Sequence, residues 1–197
     1  MLLIEGVCHM SQEIEIEYKN LITKEEYNQL LAAYSFQTAG KKQINYYFET
    51  KNKELREHGC ALRIREKENT YTLTLKEPRQ TGLLETHDII QKDVFQKWIN
   101  GDIIPQPHTS KQFKNLGVKP KDLVYMGSLE TIRREATYKN VLLVLDISRY
   151  NNKIDYELEL EAPDESTGSY LFEKILNNGG IPKRNTPNKI KRFYTSL

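Results

Sequence analysis

Charged and apolar residues alternate one by one in two segments that lie far apart in the chain. The first is Glu13-Ile14-Glu15-Ile16-Glu17-Tyr18-Lys19 and the second is Tyr156-Glu157-Leu158-Glu159-Leu160-Glu161. A period of two predicts strands. It places Glu13, Glu15, Glu17 and Lys19 on one face, with Ile14, Ile16 and Tyr18 on the other. Cys60 to Glu66 and Thr70 to Lys76 alternate in the same way around a hairpin loop at Lys67-Glu68-Asn69, and Leu83 to Ile90 continues the pattern. Further strands are predicted over Gln43 to Glu49, Leu123 to Tyr138 and Val141 to Ser148, the last two joined around Lys139-Asn140. Helical spacing is rarer. Thr23 is a cap with Glu26 as its box partner; Tyr27, Leu30, Leu31 and Tyr34 follow, and Gly40 is the expected stop. Asp93 to Ile99 reads as a short helix and Gly101 to Pro107 as a loop. Ser169 to Leu176 reads as a helix closed by Asn177-Asn178-Gly179-Gly180. Many strands and few helices predict an α+β, mainly β fold: an eight-stranded antiparallel β-barrel, or tunnel, with flanking helices.

Three carboxylates in a row on one strand face repel one another and weaken an ordinary sheet. An alternating strand with a solvated face is the simplest explanation of either acidic run taken alone. The other strands change that picture. Arg63 and Arg65 share a face, as do Thr72, Thr74 and Lys76. Arg133 shares its face with Thr131 and Glu135, and Asp146 shares one with Val144 and Ser148. Arg133 and Arg134 are adjacent, so one of them faces inward, and the spacing to Asp146 favours Arg133. A solvated surface mixes signs along a strand. Here the outermost strands carry carboxylates and the middle ones carry arginine and lysine. Such walls suit a water-filled barrel interior, because a dry and unpaired one is too costly. Carboxylates bind Mg²⁺ or Mn²⁺ through oxygen, and arginines fork onto phosphate oxygens.

Composition narrows the alternatives. The 197 residues suit one domain, and a formal net charge of +2 excludes a global polyanion binder, so any anion site is local. Two cysteines, Cys8 and Cys60, provide no disulfide framework and fit a reducing cytoplasm. No apolar run approaches membrane-spanning length. Met1 to His9 reads as an N-terminal extension, too short for a secretory signal, ahead of a single domain over 10–197.

Glu15-Ile16-Glu17-Tyr18-Lys19 matches an ExExK pattern. It is followed in order by Leu62-Arg63-Ile64-Arg65, Thr74-Leu75-Lys76, Arg133, Asp146 and Glu157-Leu158-Glu159. This series resembles the CYTH family, also called triphosphate tunnel metalloenzymes, over roughly Met10 to Tyr194, and is closest to the small stand-alone bacterial YjbK type. Glu13 then stands one step outside the motif. The resemblance implies that Glu15, Glu17, Glu157 and Glu159 ligate Mg²⁺ or Mn²⁺, with Asp146 on or near a metal. Lys19, Arg63, Arg65, Lys76 and Arg133 would hold the triphosphate, and Lys189 would be the family's late basic residue. Glu15, Glu17 and Lys19 would form the catalytic motif. Thr131 stands where some relatives carry another basic group. Glu85 is either a further tunnel carboxylate or a surface group.

The implied activity is metal-dependent hydrolysis of a triphosphate or polyphosphate. Inorganic triphosphate is the first choice, ahead of nucleoside or thiamine triphosphate, since no clear pocket for an organic group is legible. An adenylate cyclase of class IV type, or a non-catalytic polyphosphate- or nucleotide-binding module, remains open, as does a homodimer. A membrane partner is not expected and a nucleic-acid partner is disfavoured. His9, His58, His87 and His108 lack metal-ligand spacing and read as surface residues. Trp98 reads as helix packing, Tyr46 and Tyr47 as strand packing, and the basic tail Lys183 to Arg192 as a structured cap.

Overall fold

A computed structural model describes residues 12–197. The extension at 1–9, with Cys8 and His9, lies outside the described residues. Nine strands follow the predicted pattern. They are β1 (Gln12–Glu15), β2 (Glu17–Ile22), β3 (Lys41–Thr50), β4 (Ala61–Lys67), β5 (Thr70–Pro78), β6 (Leu83–Ile90), β7 (Leu123–Tyr138), β8 (Val141–Tyr150) and β9 (Lys153–Glu161). They form one antiparallel sheet in the order β1-β6-β5-β4-β3-β7-β8-β9-β2. Its two outermost strands are consecutive halves of one run, interrupted only at Ile16. The first acidic segment is therefore two strands rather than one, which accounts for nine where eight were expected. Glu13 pairs with Glu85 on β6, and Lys19 pairs with Glu159 on β9, so a single run joins both edges and curls the sheet around on itself. A sheet closed in this way leaves little edge to aggregate.

Among the described residues six helices flank the sheet: α1 (Lys24–Ala33), α2 (Glu54–Glu57), α3 (Lys92–Ile99), α4 (Pro107–Leu116), α5 (Glu165–Asn178) and α6 (Lys189–Tyr194). Thr23 caps α1 in the expected box: its Oγ1 accepts from the Glu26 N–H at 3.2 Å, and Glu26 Oε2 accepts from the Thr23 N–H at 2.8 Å. The helix ends at Ala33, well before Gly40: Tyr34 is already in extended backbone, its N–H closing the last turn on the Leu30 carbonyl. Three helices, α2, α4 and α6, were not anticipated as helices. The first turns of α2 and α4 rest on strand carboxylates, close upstream for α2 and far upstream for α4. Glu49 accepts from the Leu55 and Arg56 N–H groups at 3.0 Å each, and Asp88 accepts from the His108 and Thr109 N–H groups at 3.1 and 2.8 Å. At α4 the cap comes from a remote strand and leaves no local signature. Thr23→Ala is expected to cost about 1 kcal/mol through loss of the local cap, read as a lower urea midpoint at unchanged slope.

The apolar core lies outside the sheet, under the helices. One part joins α1 and α5 to β8 and β9 through Tyr27, Leu30, Leu143, Leu145, Leu158, Leu160, Phe172 and Ile175. A second joins α2, α3 and α4 to β3, β4 and β5 through Phe48, Leu55, Leu62, Leu73, Leu75, Trp98 and Phe113. Trp98 is fully buried and donates its indole N–H to the Ile104 carbonyl at 3.0 Å, so its role is packing. Each such side chain contributes about 1.5–3 kcal/mol by leaving water. Because period two sends these residues outward, the opposite, charged parity turns inward.

The C-terminal helix α6 closes one end. Phe193 packs on Tyr47, Leu129 and Tyr150, and it approaches β7 at Gly127. A Cβ at Gly127 would lie 2.7 Å from the Phe193 ring, and φ there is +132°, so glycine is required for the helix to seat. That seating carries Lys189 and Arg192 into the barrel.

Candidate active site

The inward faces line two connected cavities. The larger encloses about 930 Å³, open to solvent, and the other about 600 Å³. Glu17, Arg63, Lys76, Glu159 and Lys189 line both, and so mark the centre of the tunnel. Glu15, Arg65 and Arg133 face the larger cavity; Lys19 and Glu157 face the smaller. Asp146 lies beneath the wall, fully buried.

The ion pairs follow the cross-strand register. Arg133 pairs with Asp146 across β7 and β8 and donates to both its oxygens, Nε to Oδ1 at 2.9 Å and Nη2 to Oδ2 at 2.7 Å. The same Nη2 reaches Glu159 Oε2 at 2.5 Å. Arg133 is thus the inward arginine. Arg134 points outward, donating to the Tyr27 hydroxyl at 2.7 Å. On the facing wall Lys76 Nζ reaches Glu15 Oε2 at 2.6 Å and also contacts Glu85, while Lys19 contacts Glu17. Lys189 lies where three carboxylates converge: Asp146 at 3.0 Å, Glu157 at 3.3 Å, and Glu159.

Charge is unevenly matched along this interior. Arg65 has only the Asn45 Oδ1 as acceptor, at 3.0 Å, and no carboxylate pairs with it among the described residues. Its burial, with Arg63 and Arg133 nearby, lowers its pKa to about 9. Glu15 shows the converse. Burial, reinforced by Glu85 and Glu17 against the pull of Lys76, raises it to about 8, while Lys76 and Arg63 pull its neighbour Glu85 the other way. Glu161 is likewise pushed up, by burial and by Glu159 and Glu17. At Lys189 burial works against the charge, but Glu157, Glu159 and Asp146 overcome it and raise the pKa. The chamber therefore holds one cation short of an anion and a carboxylate wall short of a cation.

Several members of this wall were not anticipated or not resolved from the sequence. Glu85 is a tunnel residue, its side chain only 4% exposed. His87 is not the surface residue it was read as. It is half-buried on the same face of β6, because strand parity carries it inward with Glu85. Glu161 extends the Glu157, Glu159 parity by one step. Arg192, one helical turn after Lys189, contacts Glu157 and donates to Asp155 at 2.9 Å. His58 and His108 are exposed, as expected.

The fold and its lining define a class: a curled antiparallel barrel with a tunnel of segregated charge. The sequence model of the CYTH domain matches residues 13–194, and the chain belongs to the CYTH family. A Bacillus subtilis (strain 168) protein named "Putative triphosphatase YjbK" is 44% identical over 186 residues, which span 94% of this chain and 96% of that protein. The crystal structure of a "putative adenylate cyclase" from Bacillus halodurans is 36% identical and superposes with a TM-score of 0.90, over 94% of this chain and 100% of that one. The Hippeastrum protein HpAC1, described as a putative adenylyl cyclase with a dominant triphosphatase activity, shares the fold at 24% identity. Its TM-score is 0.78, over 92% of this chain and 96% of that one. No helix among the described residues is long and apolar enough to cross a membrane.

Proposed function

We infer that this chain hydrolyses a triphosphate inside the barrel with the help of Mg²⁺ or Mn²⁺, and that inorganic triphosphate is its first substrate. The observation that carries this reading is Arg65: a guanidinium set among Arg63 and Arg133 with no carboxylate of its own. A polyanion lying along Arg63, Arg65, Lys76 and Arg133 supplies the missing charge, and the guanidinium forks match phosphate oxygens. The 44% identical relative named as a triphosphatase supports the same reading.

The residues fit a hard divalent ion. The ammonium of Lys189 stands in for one, touching Asp146, Glu157 and Glu159, and the crowded Glu15, Glu17 and Glu161 add oxygen donors. Glu15, Glu17, Glu157 and Glu159 would hold the metal, with Asp146 beside it. When bound, it would neutralise phosphate charge and lower the pKa of the attacking water. The chain's own residues do the rest. Arg63, Arg65 and Lys76 fix the phosphate chain against one wall. Arg133, held by Asp146, would stabilise the charge that spreads over the phosphoryl group transferred to water, pyrophosphate being the leaving group. Lys19 and Lys189, released from their carboxylates, add further positive charge.

The test is phosphate release from inorganic triphosphate, ATP, GTP and thiamine triphosphate with Mg²⁺, Mn²⁺ or EDTA. Release that requires metal is the expected result; cyclic AMP with pyrophosphate from ATP instead would overturn it in favour of a cyclase. Binding of every substrate without turnover would leave a binding module. Arg65→Ala is expected to raise KM and lower kcat/KM by about 10²-fold, measured by initial rates with triphosphate.

A further inference from the structure

We propose that His87, Glu13 and Glu85 form a second cation site, for a zinc-class divalent ion, on the rim of the larger cavity. Three observations converge on it. The register of β1 against β6 sets Glu13 directly opposite Glu85, and His87 follows two residues on, so all three side chains share one face. Like charges directly opposed on antiparallel strands destabilise the pair, and a cation between them removes that cost.

The second observation is the imidazole's orientation. His87 Nδ1 lies 3.0 Å from Thr74 Oγ1, a residue on the neighbouring strand β5. A ring nitrogen held in this way orients the ring and aims the other nitrogen, as partners do behind metal-bound histidines. His87 Nε2 then faces Glu13 Oε1 at 3.3 Å and Glu85 Oε2 at 3.6 Å. One ring nitrogen and two carboxylate oxygens thus converge, the mixed donor set of a small divalent cation.

The third observation is spacing. Zinc bonds of about 2.0–2.2 Å in tetrahedral geometry place neighbouring ligand atoms about 3.3–3.6 Å apart, and the two separations from His87 Nε2, 3.3 and 3.6 Å, fall in that range. All three ligand atoms lie within 4.8 Å of one another. Glu85 is deeply buried. Its Oε1 side is taken by Lys76, while its Oε2, 3.9 Å from Arg63, turns toward His87. The Glu13 side chain is 55% exposed, so an ion has a path in. Imidazole separates this site from the all-oxygen wall, since nitrogen ligands favour zinc-class ions over Mg²⁺. An ion held here adds positive charge where a polyanion enters.

The experiment titrates the metal-free full chain with Co²⁺, a spectroscopic substitute for zinc, in excess Mg²⁺ to occupy the oxygen sites. It reads the visible bands and not turnover, so its outcome is independent of the hydrolase reading. Intense bands of a low-coordinate site, displaced by Zn²⁺, are expected. They should vanish in His87→Ala, weaken about tenfold or more in affinity in Glu13→Gln, and persist in Glu17→Gln. Glu13 is exposed, so its variant keeps the test sound even if His87→Ala unfolds on a thermal melt. Absence of bands, or bands indifferent to both His87→Ala and Glu13→Gln, would overturn the proposal: the imidazole would then be a protonated ion-pair partner alone.

Discussion

Glu17→Gln is expected to lower metal-supported triphosphate turnover at least about 100-fold while leaving the barrel folded. Glu17 lines both cavities, and its partner Lys19 comes from the same strand face. Glutamine keeps the size and one oxygen but removes the charge that a hard cation needs. The apparent affinity for Mg²⁺ should fall together with kcat, and added Mg²⁺ should recover only part of the rate. The check is a metal titration of initial rates for both proteins, with circular dichroism to confirm the fold. Full activity in Glu17→Gln would remove this carboxylate from the metal site and with it the assignment of the first acidic strand.

Arg133→Met has the largest expected effect on stability. Its guanidinium spans Asp146 and Glu159, and Asp146 is completely buried. Removing one partner of a buried ion pair costs about 3–5 kcal/mol, because the remaining charge cannot return to water. Lys189 still reaches Asp146 at 3.0 Å, so the lower end applies, about 3 kcal/mol. For a chain of this size that lowers Tm by roughly 6–12 °C. Adding Asp146→Leu should restore much of the stability without restoring turnover. A double-mutant cycle by thermal melts measures the coupling. If Arg133→Met alone melts like the parent, the pair is not what holds this wall together.

The two predictions separate the duties of the lining. Glu17 faces both cavities and can exchange Lys19 for an incoming ion. Arg133 is fixed from below by a fully buried carboxylate. A charged interior is tolerated because such pairs hold the cations in place, and the same pairing leaves Arg65 without a carboxylate of its own among the described residues.

Much of this was legible in the chain. Strand parity is a local property, so Glu13 to Lys19, Arg63 and Arg65, Lys76, and Glu157 to Glu161 each declared a face without knowledge of their neighbours. The capping box at Thr23 and the turn at Glu68 and Asn69, both with positive φ, are local as well. The helix at 107–116 was not legible, because Asp88 caps it from a strand that meets it only in space, and the helix at 54–57 is a single short turn that carries no helical period.

What the sequence determined by itself is which residues share a face, and hence that acidic and basic walls exist. What the tertiary structure decided is which walls meet. The break at Ile16 lets one run pair with β6 on one side and β9 on the other. That closure sets Glu13 against Glu85, turns His87 into the cavity and lets α6 place Lys189 among three carboxylates. A period of two repeats along any strand, but register and closure are long-range and are set by how the whole sheet folds over its helices.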